Sequence, residues 1–273
     1  MCERSGLKPS LFIALAVVFF ASTSIGFDAT QAQETPPDKG GVQLLLRVTS
    51  DPAKLDQDIE QTKSVIQNRC EQLKVYCKLE RLDSSQITLR FSTSLDATRV
   101  KNVLLSNGLE FCAVVSESSP APFRKYATRA AAMDAAATVN SVLPYKQRDA
   151  SIASSTEVYI VVKREPIISG QDISNAAAVS TYNVDDDFRI VFQLKKDSAQ
   201  KFAKWTASNI GKYIAVVLDK KVQSVAYIKS EISDSGEISG IFTKEEAEDI
   251  ARVLRSGNLP APIEVLREEM YKP

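Results

Sequence analysis

The sequence predicts an α+β protein with antiparallel sheets. Three observations point there. Apolar runs of strand length, many with period-two alternation, recur through the chain. A few longer segments switch to helical spacing. In the first half these fall in the order strand, helix, strand, strand, helix, strand, with no long αβ alternation of the kind that builds a parallel sheet.

The elements follow in order. Residues 42–48 (VQLLLRV) read as a strand. Pro52 opens a helix after Ser50 or Asp51, and Leu55, Ile59, Thr62, Ile66, Cys70 and Leu73 form its buried stripe. Residues 77–82 and 86–91 alternate as strands around the turn Asp83-Ser84-Ser85. Residues 95–105 form a second helix with Val100, Val103 and Leu104 inward; Asn107-Gly108 stops it, and 109–115 is a fourth strand. This is the split βαβ order of a ferredoxin-like base, assigned to 41–115, with both helices on one face of a four-stranded sheet.

Residues 116–156, rich in Ser, Ala and Pro, read as a partly helical variable connection. An inserted α+β head follows at 157–238. It has strands at 157–163, 176–182 and 188–194, an amphipathic helix at 198–210 with Phe202, Trp205 and Thr206 on one side, and a hairpin of 213–218 with 222–228. Residues 239–273 close the domain with a helix and a last strand at 263–266. The helix is well marked. Thr243 and Glu246 have capping-box spacing, Phe242 sits as a staple, and Ala247, Ile250, Ala251 and Leu254 make one apolar face. Gly257 ends it, and Pro260 and Pro262 hold the next residues extended.

Composition excludes several functions. The 34 basic and 34 acidic side chains cancel, so no strong field draws the chain to nucleic acid or anionic lipid. The chain contains no histidine, which removes the commonest general base, the usual nucleophilic triads and most zinc sites. No cofactor or metal site is expected. The acidic candidates for catalysis, Asp185-Asp186-Asp187 and Glu245-Glu246, read as a solvated loop and as a helix start, where neighbouring side chains diverge. An enzyme is therefore not expected; a hydrolase using these carboxylates is a remote alternative.

The N-terminus has the build of an export signal: Arg4 and Lys8, an apolar run at 11–21, then small residues and the candidate cleavage site Thr30-Gln31-Ala32. The alternative is an uncleaved anchor, and membrane contact is expected only in that case. Residues 33–40 form a polar linker. The mature part keeps Cys70, Cys77 and Cys112. In an oxidising compartment Cys70 and Cys77 can pair across a helix end, or Cys70 can simply fill a core position; either way an odd thiol remains.

Four passages resemble the first periplasmic domain of the SecD family, the membrane subunit that assists bacterial protein export. The longest is 240–262, GIFTKEEAEDIARVLRSGNLPAP, which carries Gly240, Phe242, Thr243, Ala247, Arg255, Gly257, Leu259, Pro260 and Pro262 of the family pattern. The others are DKGGVQLLLRV at 38–48, with Gly41; TKSVIQNRCEQLKV at 62–75, with Arg69; and EPIISGQDISNA at 165–176, with Pro166 and Gly170. This last passage continues in Phe202, Thr206, Asn209 and AVVLDKKVQSVAYI at 215–228, with Asp219. Lys74 stands where the family has a helix-ending glycine, and Ala226 replaces a proline.

The resemblance runs from Asp38 to about Glu269 and is poorest at 116–156. It implies a ferredoxin-like base, completed by some C-terminal chain, and an inserted head. The implied setting is a periplasmic, exported domain, anchored in the inner membrane if the N-terminal segment stays. The chain ends where SecD continues into membrane helices, so the expectation is a domain without the proton-driven part. The expected partners are polypeptide substrate or Sec translocon subunits, with Phe188, Trp205 and Tyr213 as candidate aromatic anchors, each of which also fits a packing role. A regulatory envelope module recruited away from export is the alternative.

Overall fold

The computed structural model describes residues 40–271 apart from 93, 116–122, 150–151 and 181–187. The expected signal segment, most of the linker and Asp185–Asp187 lie outside the described residues. In chain order the elements are β1 (Gly41–Val48), α1 (Leu55–Leu73), β2 (Tyr76–Arg81), β3 (Gln86–Ser92), α2 (Ala97–Leu105), β4 (Leu109–Ala113), α3 (Arg129–Ala135), β5 (Asn140–Asp149), β6 (Ile152–Lys163) and β7 (Ile168–Ser169). There follow β8 (Ile173–Ser180), β9 (Phe188–Leu194), α4 (Lys196–Ala207), β10 (Tyr213–Leu218), β11 (Lys221–Tyr227), β12 (Ser235–Phe242), α5 (Lys244–Ser256) and β13 (Ile263–Tyr271).

Three sheets result. The first is antiparallel and ordered β13-β1-β3-β2. Val42, Leu44 and Leu46 of β1 and Leu89 and Phe91 of β3 face a core filled by Ile66, Leu73, Val100, Leu104 and Val253 from α1, α2 and α5. The second sheet is ordered β6-β5-β11-β10-β4-β7, and the third β12-β9-β8. The main head core lies between them. It joins Leu109, Phe111 and Val216 to Ile190, Phe192, Phe202, Ile250 and Leu254.

The expected strand–helix–strand–strand–helix–strand order is present with different members. β4, assigned from sequence to the base, pairs with β10 and β7 of the second sheet. The base strand in its place is β13, paired antiparallel with β1 from Gly41↔Tyr271 to Val48↔Ile263 with a bulge between Leu45 and Leu46. Burial explains the exchange. β4 is buried from both faces at its centre, with Leu109 and Phe111 in one core and Cys112 in another, so it needs a sheet covered on both sides. β13 carries Glu264, Arg267, Glu268 and Glu269 and suits a half-exposed edge.

The variable connection also holds more order than expected. α3 occupies the alanine run, but β5 forms a full strand with β6, from Asn140↔Lys163 onward. Beyond β4, Val114 bridges to Val162 of β6, so β4, β10, β11, β5 and β6 close on themselves around Cys112, Ile160, Val162, Ala215, Val217 and Val222. β12 starts before the expected head boundary at 238 and carries its two glycines where neighbours leave no room. A Cβ at Gly236 would sit 2.5 Å from the Phe192 ring, and one at Gly240 would sit 2.6 Å from the Phe242 ring.

Arg69 ties the helices together. It is fully buried on α1. Its Nε donates to Ser256 Oγ at 2.9 Å, one terminal nitrogen to the carbonyls of Val103, Leu104 and Ser106 at 3.2, 2.9 and 2.6 Å, and the other to Gly257 O at 2.8 Å. The guanidinium thus caps the C-termini of α2 and α5, where unpaired carbonyls and the helix dipoles favour a cation. Burial pushes its pKa down to about 10, with Asp219 opposing, so it stays charged at neutral pH. Arg99 adds a forked pair from α2 to Asp249 of α5, at 2.6 and 3.0 Å.

Cys70 and Cys77 are disulfide-bonded, and Cys70 is also buried, so the two sequence readings hold together. Between them Lys74 itself takes the left-handed position, at φ 56°, and its N–H reaches Cys70 O and Glu71 O. The helix therefore ends as a glycine would end it, at a steric cost of about 1 kcal/mol.

Three outcomes follow for stability. Arg69→Met strands five acceptors and should lower unfolding free energy by about 3–5 kcal/mol in urea titration, and Arg69→Lys should not restore it because one ammonium cannot span the fork. Cys77→Ser should remove about 2–3 kcal/mol, matched in the parent by reduction, given a closed loop of separation 7. Lys74→Gly should stabilise by up to about 1 kcal/mol, read as a higher midpoint at unchanged slope.

Candidate functional site

The motif residues are mostly structural. Thr243 Oγ1 accepts from Glu246 N, and Glu246 Oε2 accepts from Thr243 N, closing the expected capping box. Phe242 and Ala247 share the head core. Arg255 donates to Ala176 O at 2.6 Å, fixing α5 to β8. Leu259 is buried and its N–H meets Asn107 O; Pro262 O accepts from Thr49 N. A Cβ at Gly41 would lie 2.2 Å from Phe91 O, and one at Gly170 would lie 2.4 Å from Asn258 Oδ1, so both glycines mark close packing. Asp219 and Lys220 have φ 48° and 59°, the geometry of a two-residue hairpin turn, and the Asp219 carboxylate accepts from Asn107 N. Phe202, Thr206 and Asn209 are likewise accounted for. Phe202 fills the core, Thr206 Oγ1 accepts from Ile232 N, and Asn209 Nδ2 caps Trp205 O.

Chemistry has few footholds. Cys112 is buried and its thiol is pushed up to about 12 by burial, with Glu110 adding to it, so it stays protonated. Among the described residues no group of three His, Cys, Asp or Glu is arranged to hold a metal ion, and no helix is long and apolar enough to cross a membrane.

The three aromatic residues expected to anchor a ligand are dispersed. Phe188 starts β9, pairs with Ser180 and Phe242, and packs against the head core. Tyr213 makes edge-to-face contacts with Phe123 and Tyr227, each at 5.2 Å between ring centres, beside the closed-strand core. Trp205 differs. It is half-buried against the head core and lines an open groove of about 930 Å³.

The groove is built from four segments distant in sequence, one of them the end of β4 at Ala113. Val139 comes before β5, Lys163 to Ile167 link β6 to β7, and Lys201, Lys204, Trp205 and Ser208 recur at helical spacing along one stripe of α4. The opposite stripe, Phe202 and Thr206, is buried. The floor is apolar, with Ala113, Ile167 and Trp205; the rim is charged, with Arg164 held by Thr138 O at 2.9 Å. Pro166, a motif position, belongs to this wall. The sequence pattern sets Trp205 on one side with Phe202 and Thr206; here it belongs to the open stripe with Lys201, Lys204 and Ser208, whose meeting with Val139 and Lys163–Ile167 depends on tertiary structure. A second, narrower cleft of about 550 Å³ lies where β5 and β11, paired only at Tyr145↔Val222, part beside Ser239 and Gly240.

Comparison with known proteins decides the kinship. Residues 141–261 match the family described as SecDF, P1 head subdomain. Over that stretch the chain is similar to a SecDF P1 head. The SecD protein translocase subunit of Aquifex aeolicus is 33% identical over 240 residues, 86% of this chain and 44% of that protein. The Koribacter versatilis SecD is 33% identical over 83% of the chain and 42% of its own length. The matched part thus spans less than half of these SecD relatives. Among solved structures, a crystal structure of SecDF in a super-membrane-facing form superposes with a TM-score of 0.62 at 25% identity, over 88% of this chain and 32% of that one. A structure of SecDF, titled a membrane component that enhances protein export, gives 0.61 at 24% identity over 82% of this chain and 98% of that one. The likeness to SecDF holds in sequence and in fold, and with it the α+β class.

With the thiol buried as described, Cys112 should not react with a maleimide in the native protein and should react at once in denaturant.

Proposed function

We propose that this chain is a binding domain of the protein-export machinery, and that its SecDF P1-type head receives extended polypeptide in the groove beside Trp205. The observation that carries the reading is Trp205 itself. It is a large aromatic set half-open in an apolar groove, on a helix whose other face is fixed in the core. Such a placement gives contact area at low entropic cost, as binding anchors require. The kinship supports the setting: the relatives are protein translocase subunits, and one related structure is titled as enhancing export. On this reading the domain works in the periplasm, binds translocating or unfolded chains or the translocon subunits that present them, and performs no catalysis.

The test is binding of the full chain to a fluorescent, permanently unfolded polypeptide. Trp205→Ala should weaken binding at least about tenfold while circular dichroism and the unfolding midpoint stay near those of the parent. Tyr213→Ala, away from the groove, should leave affinity within about twofold. Unchanged binding in Trp205→Ala would sink the assignment of the groove.

A further inference from the structure

We infer that the Trp205 groove selects acidic stretches of polypeptide. This rests on the reading of the groove as a polypeptide site and goes beyond it in naming the class of segment. The whole chain is neutral, with 34 basic and 34 acidic residues, yet the groove is not. Lys163, Arg164, Lys201 and Lys204 line it against Glu165 alone. Neutral composition therefore hides a local excess of positive charge.

Each cation has an ordinary explanation when taken singly. Lys204 lies in the last turn of α4, where a cation suits the helix dipole, and exposed lysines keep surfaces soluble. Convergence is what these explanations do not supply. Two of the cations come from the end of β6 and the residue after it, and two come from α4, about forty residues later. They meet around one apolar concavity. Concave, low-dielectric walls focus the field of the charges that line them. Arg164 is also oriented by its bond to Thr138 O, which holds its guanidinium near Val139 at the rim.

The shape favours a chain over a membrane. A flat anionic bilayer would touch the rim and leave Trp205 uncovered, whereas an extended segment can set an apolar side chain on Trp205 and carboxylates on the rim. Alternation of side chains along an extended chain provides both at once.

The test uses the full chain and three labelled peptides of equal length and equal apolar content: acidic, neutral and basic. At low salt the acidic peptide should bind about tenfold tighter than the neutral one, from several exposed charge pairs acting together. That margin should shrink to about threefold or less near 0.3 M salt. The double variant Lys201→Glu/Lys204→Glu, exposed at both positions, should reverse the order in favour of the basic peptide. Equal binding of acidic and neutral peptides, with both weakened by Trp205→Ala, would overturn the selectivity and leave the groove assignment standing. Failure of all three to bind in a Trp205-dependent way would overturn both. Capture of the chain on phosphatidylglycerol vesicles that needs Lys201 and Lys204, with no preference among the peptides, would overturn the inference in favour of a lipid headgroup.

Discussion

One buried guanidinium holds the helical layer together. Arg69 enters from α1 and caps α2 and α5 at the same time, by donating hydrogen bonds to carbonyls at their C-terminal ends. Burying a cation is unfavourable unless its donors are used, and here all three nitrogens are engaged. The two helix C-termini supply both acceptors and negative potential. That arrangement fixes where α5 ends, and hence where Gly257 turns and where β13 begins.

The position of α5 matters because it serves two cores. Ala247, Ile250, Ala251 and Leu254 pack into the head, while Val253 packs into the base. Arg255 then reaches back to β8, and Arg99 links α2 to Asp249. A helix clamped at its end and along two faces is a rigid support for β8, β9 and the α4 packed beside them. The groove inherits that rigidity. Trp205 is placed by the buried stripe of α4, and that stripe is placed by a core to which α5 contributes.

Local chemistry was legible wherever it acted between near neighbours. The capping box at Thr243, the glycine stop at Gly257 (positive φ of 78° with an extended ψ of 175°), the 3.6-residue stripes of α1 and α5 and the Asp219 turn need only a few residues each. β5 and β12 were not legible, and their residues say why. β5 carries Pro144 in its middle, which a central strand ordinarily excludes; it is tolerated because β5 pairs with β11 at Tyr145↔Val222 alone. β12 carries Gly236 and Gly240, which weaken a strand signal, but aromatic rings occupy the space that side chains would take. Lys74 shows the converse. Its sequence argued for a changed helix end, and the backbone adopted the left-handed cap regardless, because the chain must turn at once to bring Cys77 to Cys70.

By itself the sequence determined the α+β class, the well-capped helix, the packing stripes, the neutral charge without histidine, and the kinship with SecD. These rest on periodicity, caps and contiguous motifs, all local properties. Tertiary structure decided which strand completes the base sheet. β4 and β13 are both acceptable strands, and the choice turns on which is buried from both faces and which from one, measured against cores assembled from distant segments. It also decided that Trp205, and not Phe188 or Tyr213, opens on a groove, and that four cations scattered over some forty residues share its walls. Composition averages charge over the chain; only folding says which charges stand together.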